Sequence, residues 1–373
     1  MASSNRSRRA GAAAAAVALT PLALAWRFAH IYRARAGYPR PHPPTSDPGA
    51  FGLAFEARTV ATSDALQLPA WWIPVAGGGR APAVVLVHGW ESARHRTLPN
   101  ARFLHAIGYH VLTIDIRGHG ENPAETLPVS AGEFGADARA AVEAALADPL
   151  VTKVAILGHS MGAVGAILAA AAEPRVAAVV LTATPADPYR LTRQTFRLAH
   201  LPLPDPLAYP LAWLTTRVYL EPRGHRVESI SASRAVSVYR GPILAIHGTE
   251  DRVVPVRHLG RLVAAARSSR VDDADGAPVE SLLIEGGQHS WLYEFPAYRA
   301  AVARFLARAL GGPLAPDAAA AVAEAADGSR PVEPEHTFSA LGGATASSPD
   351  AVIDPPGGEP ESGRAVAGSG AAR

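Results

Sequence analysis

Short apolar runs alternate with longer amphipathic stretches from about residue 51 to residue 310 of the chain. The run Ala83-Val84-Val85-Leu86-Val87 is apolar at consecutive positions, which indicates a strand buried on both faces. Between such runs lie stretches with apolar residues at every third or fourth position, and these predict helices. This alternation is typical of a parallel sheet covered by helices. We therefore expect an α/β fold.

The apolar runs and the turn residues that bound them define the elements. The predicted strands are residues 51–59, 65–75, 83–88, 110–115, 153–157, 176–182, 243–247 and 280–284. The predicted helices are residues 96–107, 132–147, 161–172, 256–266 and 297–309. The first two strands are less continuously apolar and are joined by a short polar segment, so we expect an antiparallel hairpin at the edge of a mostly parallel, eight-stranded sheet.

Residues 185–240 break this alternation. The segment is rich in proline and in bulky aromatic residues, and it is too long for an ordinary connection inside a compact domain. We expect an inserted helical cap that covers a cleft and touches substrate. The alternative is an insertion that packs elsewhere on the surface.

The first 48 residues are expected to form a targeting or membrane-anchor segment and a proline-rich linker, outside the folded core. Three arginines precede the apolar stretch 10–26, whose length lies near the lower limit of the roughly 17 to 25 residues that span a bilayer. The protein is thus expected to be membrane-anchored or exported. Arginines also follow the stretch, so its orientation stays open. A cleaved signal peptide and an alanine-rich helix lying on the domain are the alternatives.

The other end of the chain, residues 311–373, is rich in Ala, Pro, Gly, Glu and Ser. Such a segment has too little apolar surface to offset the entropy lost on ordering, so a disordered tail is expected. An alanine-rich helix near residues 317–326 is the alternative within it. Residues 49–310 are then expected to be one folded domain.

Composition excludes several classes of function. The 373 residues include no cysteine, so disulfides, thiolate metal sites and a cysteine nucleophile are ruled out. The formal net charge is +2, and the arginines are spread along the chain without dense basic runs. We therefore expect no nucleic-acid partner.

The segment Gly158-His159-Ser160-Met161-Gly162 is the strongest candidate for chemistry. It follows a predicted strand and opens a predicted helix, so Ser160 is expected on a sharp, exposed turn at the carboxyl edge of the sheet. Glycines at both ends of the segment remove side chains that would clash at such a turn. The helix amino terminus favours the negative charge that develops during acyl transfer. Ser160 is the predicted nucleophile.

A serine hydroxyl needs a base, and histidine suits that role near neutral pH. His289 lies in a glycine-flanked loop after the last predicted strand, and it is the predicted base. Asp251 follows the strand 243–247 and is the predicted acid that orients the imidazole. Its neighbour Glu250 is the alternative acid.

Acyl transfer also needs hydrogen-bond donors for the oxyanion. The backbone amide of Met161, directly after the nucleophile, is one predicted donor. The amide of Trp90, in the loop His88-Gly89-Trp90 after the third strand, is the other. The Trp90 ring is expected either to line the acyl pocket or simply to pack.

Taken together, these motifs resemble the α/β-hydrolase superfamily, in its serine-aminopeptidase-like and monoacylglycerol-lipase-like branch. The resemblance covers residues 54–310 and rests on His88-Gly89-Trp90, Asp115-Ile116-Arg117-Gly118-His119-Gly120, Gly158-His159-Ser160-Met161-Gly162, Gly248-Thr249-Glu250-Asp251 and Gln288-His289. It implies the α/β-hydrolase fold, a Ser160-Asp251-His289 triad with Trp90 and Met161 as oxyanion donors, and a structural role for the segment that begins at Asp115. The chain departs from many members of the superfamily at Glu121-Asn122.

The expected activity is hydrolysis of a small-molecule carboxylic ester with an apolar acyl group, through an acyl-serine intermediate and without a metal or organic cofactor. An aminopeptidase or amidase, a thioesterase and an acyltransferase are alternatives on the same triad. A catalytically silent binding protein is the alternative from another class. An aminopeptidase would need an anion for the substrate amine, and residues 185–240 offer Asp187, Asp205, Glu221 and Glu228.

Overall fold

A computed structural model of the protein describes residues 2–270 and 277–331, with side chains described from residue 19 onward. Eight strands form one sheet in the order β1-β2-β4-β3-β5-β6-β7-β8. The strands are β1 (Glu56–Ala61), β2 (Gln67–Ile73), β3 (Ala81–Val87), β4 (His110–Ile114), β5 (Val151–His159), β6 (Val176–Thr182), β7 (Ile243–Gly248) and β8 (Val279–Ile284).

Helices connect and flank these strands. They are α1 (Ala2–Ala36), α2 (Leu98–Ala106), α3 (Ala131–Ala147), α4 (Met161–Ala172), α5 (Pro188–Leu198), α6 (Asp205–Leu220), α7 (Ala232–Val238), α8 (Arg257–Ser268), α9 (Pro296–Leu310) and α10 (Pro316–Ala325). The start of α3 is set by nearby residues in the sequence, because Ser130 and Glu133 form a capping box there.

The expected α/β architecture is confirmed. Strands β1 and β2 pair antiparallel with each other, and β2 pairs antiparallel with β4, while the remaining neighbours are parallel. The first strand begins at Glu56 and not at residue 51, because Pro48–Phe51 forms a 3₁₀ turn whose Ala50 amide is capped by the Asp47 carboxylate.

The apolar core lies on both faces of the sheet. Along β3, Val85 and Val87 pack into the layer under α3 and α4, whereas Val84 and Leu86 pack into the layer under α2 and α9. All four side chains are buried. This explains why consecutive positions of the central strands are apolar.

Helices α5, α6 and α7 form the insertion between β6 and β7. Helix α7 packs against α4 and α8, while α5 and α6 pack against each other. Leu191 and Leu198 of α5 and Tyr219 of α6 line the cavity that contains Ser160. The insertion therefore contributes to that cavity.

The N-terminal segment differs from its expected placement outside the core. Helix α1 packs along α6, and Ala29 and Tyr32 are buried. The physical reason is aromatic packing, since Phe28 and Tyr32 meet Phe196 of α5 at ring-centroid distances of 5.4 and 5.8 Å. Leu22, earlier on α1, is 66% exposed.

Neither α1 nor any other helix within residues 2–270 and 277–331 combines the length and the apolar character needed to cross a membrane. Anchoring or export through residues 10–26 stays a prediction.

The C-terminal segment also differs from expectation over the part that is described. Residues 316–325 form α10, which packs on α9 with Ala319 and Ala323 buried. Arg299 of α9 donates hydrogen bonds to the carbonyls of Ala323 and Glu324 and so holds the end of α10. The folded part thus extends past residue 310, and residues 332–373 lie outside the described chain.

The segment that begins at Asp115 makes buried contacts that give it a structural role. One carboxylate oxygen of Asp115 accepts a hydrogen bond from the Arg94 amide at 2.7 Å, and the other pairs with the Arg94 guanidinium. The Glu121 amide donates to the same carboxylate at 3.0 Å. A side chain at Gly120, where φ is +57°, would overlap this carboxyl group.

Replacing Asp115 with alanine is expected to lower the free energy of unfolding by about 3 kcal/mol, because the buried Arg94 guanidinium would lose its buried partner. Urea denaturation measures this. The control is Glu121→Ala, which removes the exposed partner of Arg94 and should cost less than about 1 kcal/mol. Equal losses in the two variants would contradict the structural role of Asp115.

Candidate active site

Ser160 lies at the turn between β5 and α4, as the sequence predicts. Its backbone has φ of 53° and ψ of −120°, a conformation that non-glycine residues rarely adopt. The Ser160 amide donates a hydrogen bond to the Thr182 carbonyl at 2.8 Å, which ties the turn to β6. The side chain is thereby held at the carboxyl edge of the sheet, beside the amino terminus of α4.

The two glycines of this turn are required by close backbone approach. A side chain at Gly158 would come within 2.6 Å of the Ala163 Cα atom. A side chain at Gly162 would overlap the carbonyl oxygens of Val87 and His88. The turn therefore packs directly against the end of β3.

Ser160, His289 and Asp251 form one hydrogen-bonded line. The Nε2 atom of His289 lies 3.0 Å from Ser160 Oγ, and its Nδ1 atom lies 2.8 Å from Asp251 Oδ2. The Oδ1 atom of Asp251 accepts hydrogen bonds from the amides of Val253 and Val254. When Nδ1 donates its proton to the carboxylate, Nε2 can accept the serine proton.

Asp251 is buried and held ionised. Burial alone would raise its pKa, but the charge of His289 and hydrogen bonds from His247, His289 and the Val254 amide outweigh burial and lower the pKa below its ordinary value. The Nε2 atom of His247 lies 3.2 Å from Asp251 Oδ2 and 2.7 Å from the Val254 carbonyl oxygen. The acid thus has two histidine partners.

His159 connects the nucleophile turn to the loop that carries His289. Its Nε2 atom lies 2.8 Å from the His289 carbonyl oxygen, and the two rings are 5.0 Å apart. Loss of hydration, aided by the charge of His289, lowers the pKa of His159 to about 3. A neutral ring that donates its Nε2 proton to this carbonyl holds the loop in place.

The loop after β3 lies against Ser160. A Cβ atom at Gly89 would be 3.4 Å from Ser160 Cβ, so the backbone that leads to Trp90 passes close to the nucleophile. The Trp90 ring stacks on Phe134 at 6.4 Å and also lines the cavity. Met161 is the first residue of α4, where backbone amides lack partners in the helix itself. The amides of Trp90 and Met161 are therefore kept as the candidates for an oxyanion hole.

A cavity of about 690 Å³ contains Ser160 and His289. Its wall is largely apolar, with Trp90, Met161 and Leu220 among the lining residues. Such a size and lining suit an organic molecule with an apolar portion. In the described ranges, no group of three or more His, Asp or Glu side chains is arranged to hold a metal ion.

The four carboxylates considered for binding a substrate amine are all in the described chain, and they differ in position. Asp187 lines the cavity, but it accepts a hydrogen bond from Ser231 and lies 3.3 Å from Arg190. Asp205 pairs with Arg193, Glu221 pairs with Arg33, and Glu228 is exposed. Glu91, which the sequence analysis did not consider, also lines the cavity, and burial raises its pKa.

The structure thus brings together Ser160, Asp251 and His289 and places Glu250 on the exposed side of the same turn. The contacts of His159 and His247 with the candidate triad were not predicted from the sequence. Their positions, next to the nucleophile and four residues before the acid, were the available signal.

Comparisons with known proteins agree with this fold. The model of the serine aminopeptidase family, S33, matches residues 80–234. Together with the eight-stranded sheet and its solved neighbours, this match shows the α/β-hydrolase fold and supports a place for the chain in the α/β-hydrolase superfamily.

Among curated relatives, an uncharacterized protein of Mycobacterium tuberculosis is 32% identical over 209 residues, which cover 56% of this chain and 66% of that protein, just under two thirds of its length. The human protein ABHD12B is 27% identical over 278 residues, covering 70% of this chain and 71% of its own. An esterase of Pyrococcus furiosus matches as a structure with a TM-score of 0.57 at 22% identity, covering 73% of this chain and 97% of that one. A puromycin hydrolase matches as a structure with a TM-score of 0.54 at 20% identity, covering 72% of this chain and 41% of that one.

Proposed function

We propose that this protein is a serine hydrolase that cleaves carboxylic esters through an acyl intermediate on Ser160. The observation that carries the proposal is the hydrogen-bonded line from Ser160 through His289 to the buried Asp251, at the wall of a largely apolar cavity. A serine, a histidine and a carboxylate in this geometry can activate the hydroxyl for attack on an acyl carbon.

The reaction would proceed in two halves. His289 accepts the Ser160 proton as Oγ bonds to the ester carbonyl carbon, and the amides of Trp90 and Met161 donate hydrogen bonds to the oxyanion. Collapse breaks the bond to the alcohol, which leaves with the proton from His289. Water then gives a proton to His289 and attacks the acyl-serine; the acid leaves, and Ser160 regains its proton.

An aminopeptidase or amidase on the same triad is the second candidate, and the match to the serine aminopeptidase family favours it. The surroundings of the cavity favour the ester. Asp187 already has Ser231 and Arg190 as partners, and the charge of Arg40 beside Glu91 competes with a cationic amine for that carboxylate. Thioester hydrolysis and acyl transfer to an alcohol would use the same residues.

The experiment treats the full-length protein with a fluorophosphonate probe and then compares p-nitrophenyl esters with aminoacyl anilides. We expect labelling and turnover of esters at least about tenfold faster than anilides, because ester binding needs no anion for an amine. Turnover of anilides with inert esters would support the peptidase instead. An unlabelled protein with no turnover of either series would contradict the hydrolase proposal.

A further inference from the structure

We infer that the C-terminal half of α1 forms a wall of the substrate cavity and contacts the acyl chain of the substrate. Residues 32–42 would then belong to the binding machinery, although the sequence predicts that they lie outside the folded domain. This inference rests on the proposed ester hydrolysis and adds a substrate class, namely esters with an extended apolar acyl chain.

The first support is the aromatic packing that holds α1 on the insertion. Tyr32 is only 7% exposed, and its ring lies edge-on to Phe196 at 5.8 Å and 6.3 Å from the ring of Tyr219. Phe28 meets Phe196 edge-on at 5.4 Å. Aromatic pairs of this geometry contribute beyond the area that they bury. Helix α1 is therefore packed on α5 and α6 as a structural element.

Hydrogen bonds fix the position of α1 on the insertion. The Tyr32 hydroxyl lies 2.8 Å from Thr195 Oγ1 on α5. The Arg33 guanidinium donates to the Val218 carbonyl on α6 at 3.0 Å. Loss of hydration on burial raises the pKa of Tyr32, so the hydroxyl keeps its proton.

The end of α1 is also tied to the main domain. The Tyr219 hydroxyl lies 2.5 Å from the Val129 carbonyl oxygen and 3.2 Å from the Ala36 carbonyl oxygen, so its single proton can be donated to either. The Val129 amide donates to the Gly37 carbonyl at 2.8 Å. The start of α3 follows directly after this contact, so α1 is coupled to the sheet layer as well as to the insertion.

Tyr32 and Ala36 face the same cavity as Ser160, together with Leu191, Leu198 and Tyr219. The hydroxyls near this wall are engaged with one another, since Tyr32 contacts Thr195 and Thr192 contacts Thr216. The side chains of Tyr32, Ala36, Leu191 and Leu198 therefore offer a ligand mainly aliphatic and aromatic surface. Arg35 and His42, from the same segment, also line the cavity and can face the polar part of a substrate.

One consequence concerns processing of the chain. Removal of a leader by a cut after Tyr32 would take away part of the wall, whereas a cut before Phe28 would leave it in place. Any processing of an active enzyme should therefore stop before residue 28.

The test compares kcat/KM for p-nitrophenyl dodecanoate and butanoate in full-length variants. Tyr32→Ala is expected to lower the dodecanoate to butanoate ratio about tenfold, because the longer chain loses apolar contact that the shorter chain does not reach. Tyr32→Phe keeps the ring and should keep the ratio. Leu22→Ala, on the exposed part of α1, should also keep it.

Loss of stability is separated from loss of contact by Phe28→Ala. Phe28 packs on Phe196 in the same aromatic cluster, so this variant should lower the melting temperature as Tyr32→Ala does while keeping the ratio. A Tyr32→Ala ratio within about twofold of the wild type would overturn the inference, as would an equal shift in Phe28→Ala.

A binding measurement separates this inference from the proposed function. In Ser160→Ala protein, calorimetry gives the Kd of dodecanoate with and without Tyr32→Ala. We expect the added change to weaken binding about tenfold, and an unchanged Kd would overturn the inference. If the wild type is neither labelled nor active on esters, the hydrolase proposal fails, while the dodecanoate result still decides whether Tyr32 lines a site for apolar chains.

Discussion

Replacing Ser160 with alanine is expected to reduce kcat for p-nitrophenyl butanoate about 10⁶-fold. The hydroxyl 3.0 Å from His289 Nε2 is the group that would form the acyl intermediate, and no bond to the substrate can form without it. A small rate above the uncatalysed reaction should persist, because the candidate oxyanion donors remain. Steady-state kinetics with the purified variant measures the loss.

Folding must be intact for this result to count. The Ser160 backbone has a positive φ, which alanine tolerates as poorly as serine, so the melting temperature should stay within a few degrees of the wild type. Ser237→Ala on α7, where the hydroxyl donates to the Arg234 carbonyl of its own helix, is the matched control and should keep full activity. A Ser160→Ala enzyme that retains more than about one hundredth of kcat would rule out an acyl-serine mechanism.

Asp251→Asn is expected to lower kcat about 10⁴-fold while leaving the fold in place. The Asn carbonyl oxygen would take the place of Oδ1, which accepts the Val253 and Val254 amides. Its NH₂ group would then face His289 and donate to Nδ1. That arrangement puts the imidazole proton on Nε2, which points at Ser160 and can no longer accept the serine proton.

Glu250→Gln is the control for the acid, because the neighbouring carboxylate was the alternative from sequence. Glu250 is exposed, and its amide donates to the Gly287 carbonyl, so the side chain is not needed to hold the turn. We expect kcat within about twofold of the wild type. A loss of kcat in Glu250→Gln that equals the loss in Asp251→Asn would contradict the assignment of Asp251 as the triad acid and favour Glu250.

Much of the fold could be predicted from local patterns. Strands β6 and β7 lie where the continuous apolar runs predict them, within one residue at each end, and α4 has the predicted bounds. Such elements depend on side chains close together in sequence, so a single chain suffices to find them. The order of Ser160, Asp251 and His289 is also readable, since each follows a predicted strand.

Contacts between distant segments were not readable in this way. His159 reaches the His289 carbonyl only because parallel strands bring their carboxyl ends to one edge of the sheet. A histidine at a strand end can take several roles, and the sequence alone does not say which. The distances decide which role each one takes.

The α/β architecture, the sharp turn at Ser160 and the chemistry of a Ser, His and Asp set could all be predicted from the sequence. The position of Tyr32 of α1 on a wall of the cavity and the packing of α10 on α9 became visible only in the folded chain. Both segments are rich in alanine and weakly apolar, so composition predicts that they stay apart from the core. Their burial depends on a few aromatic and arginine contacts with residues in other elements of the chain. These contacts can form only once the fold has brought those elements together.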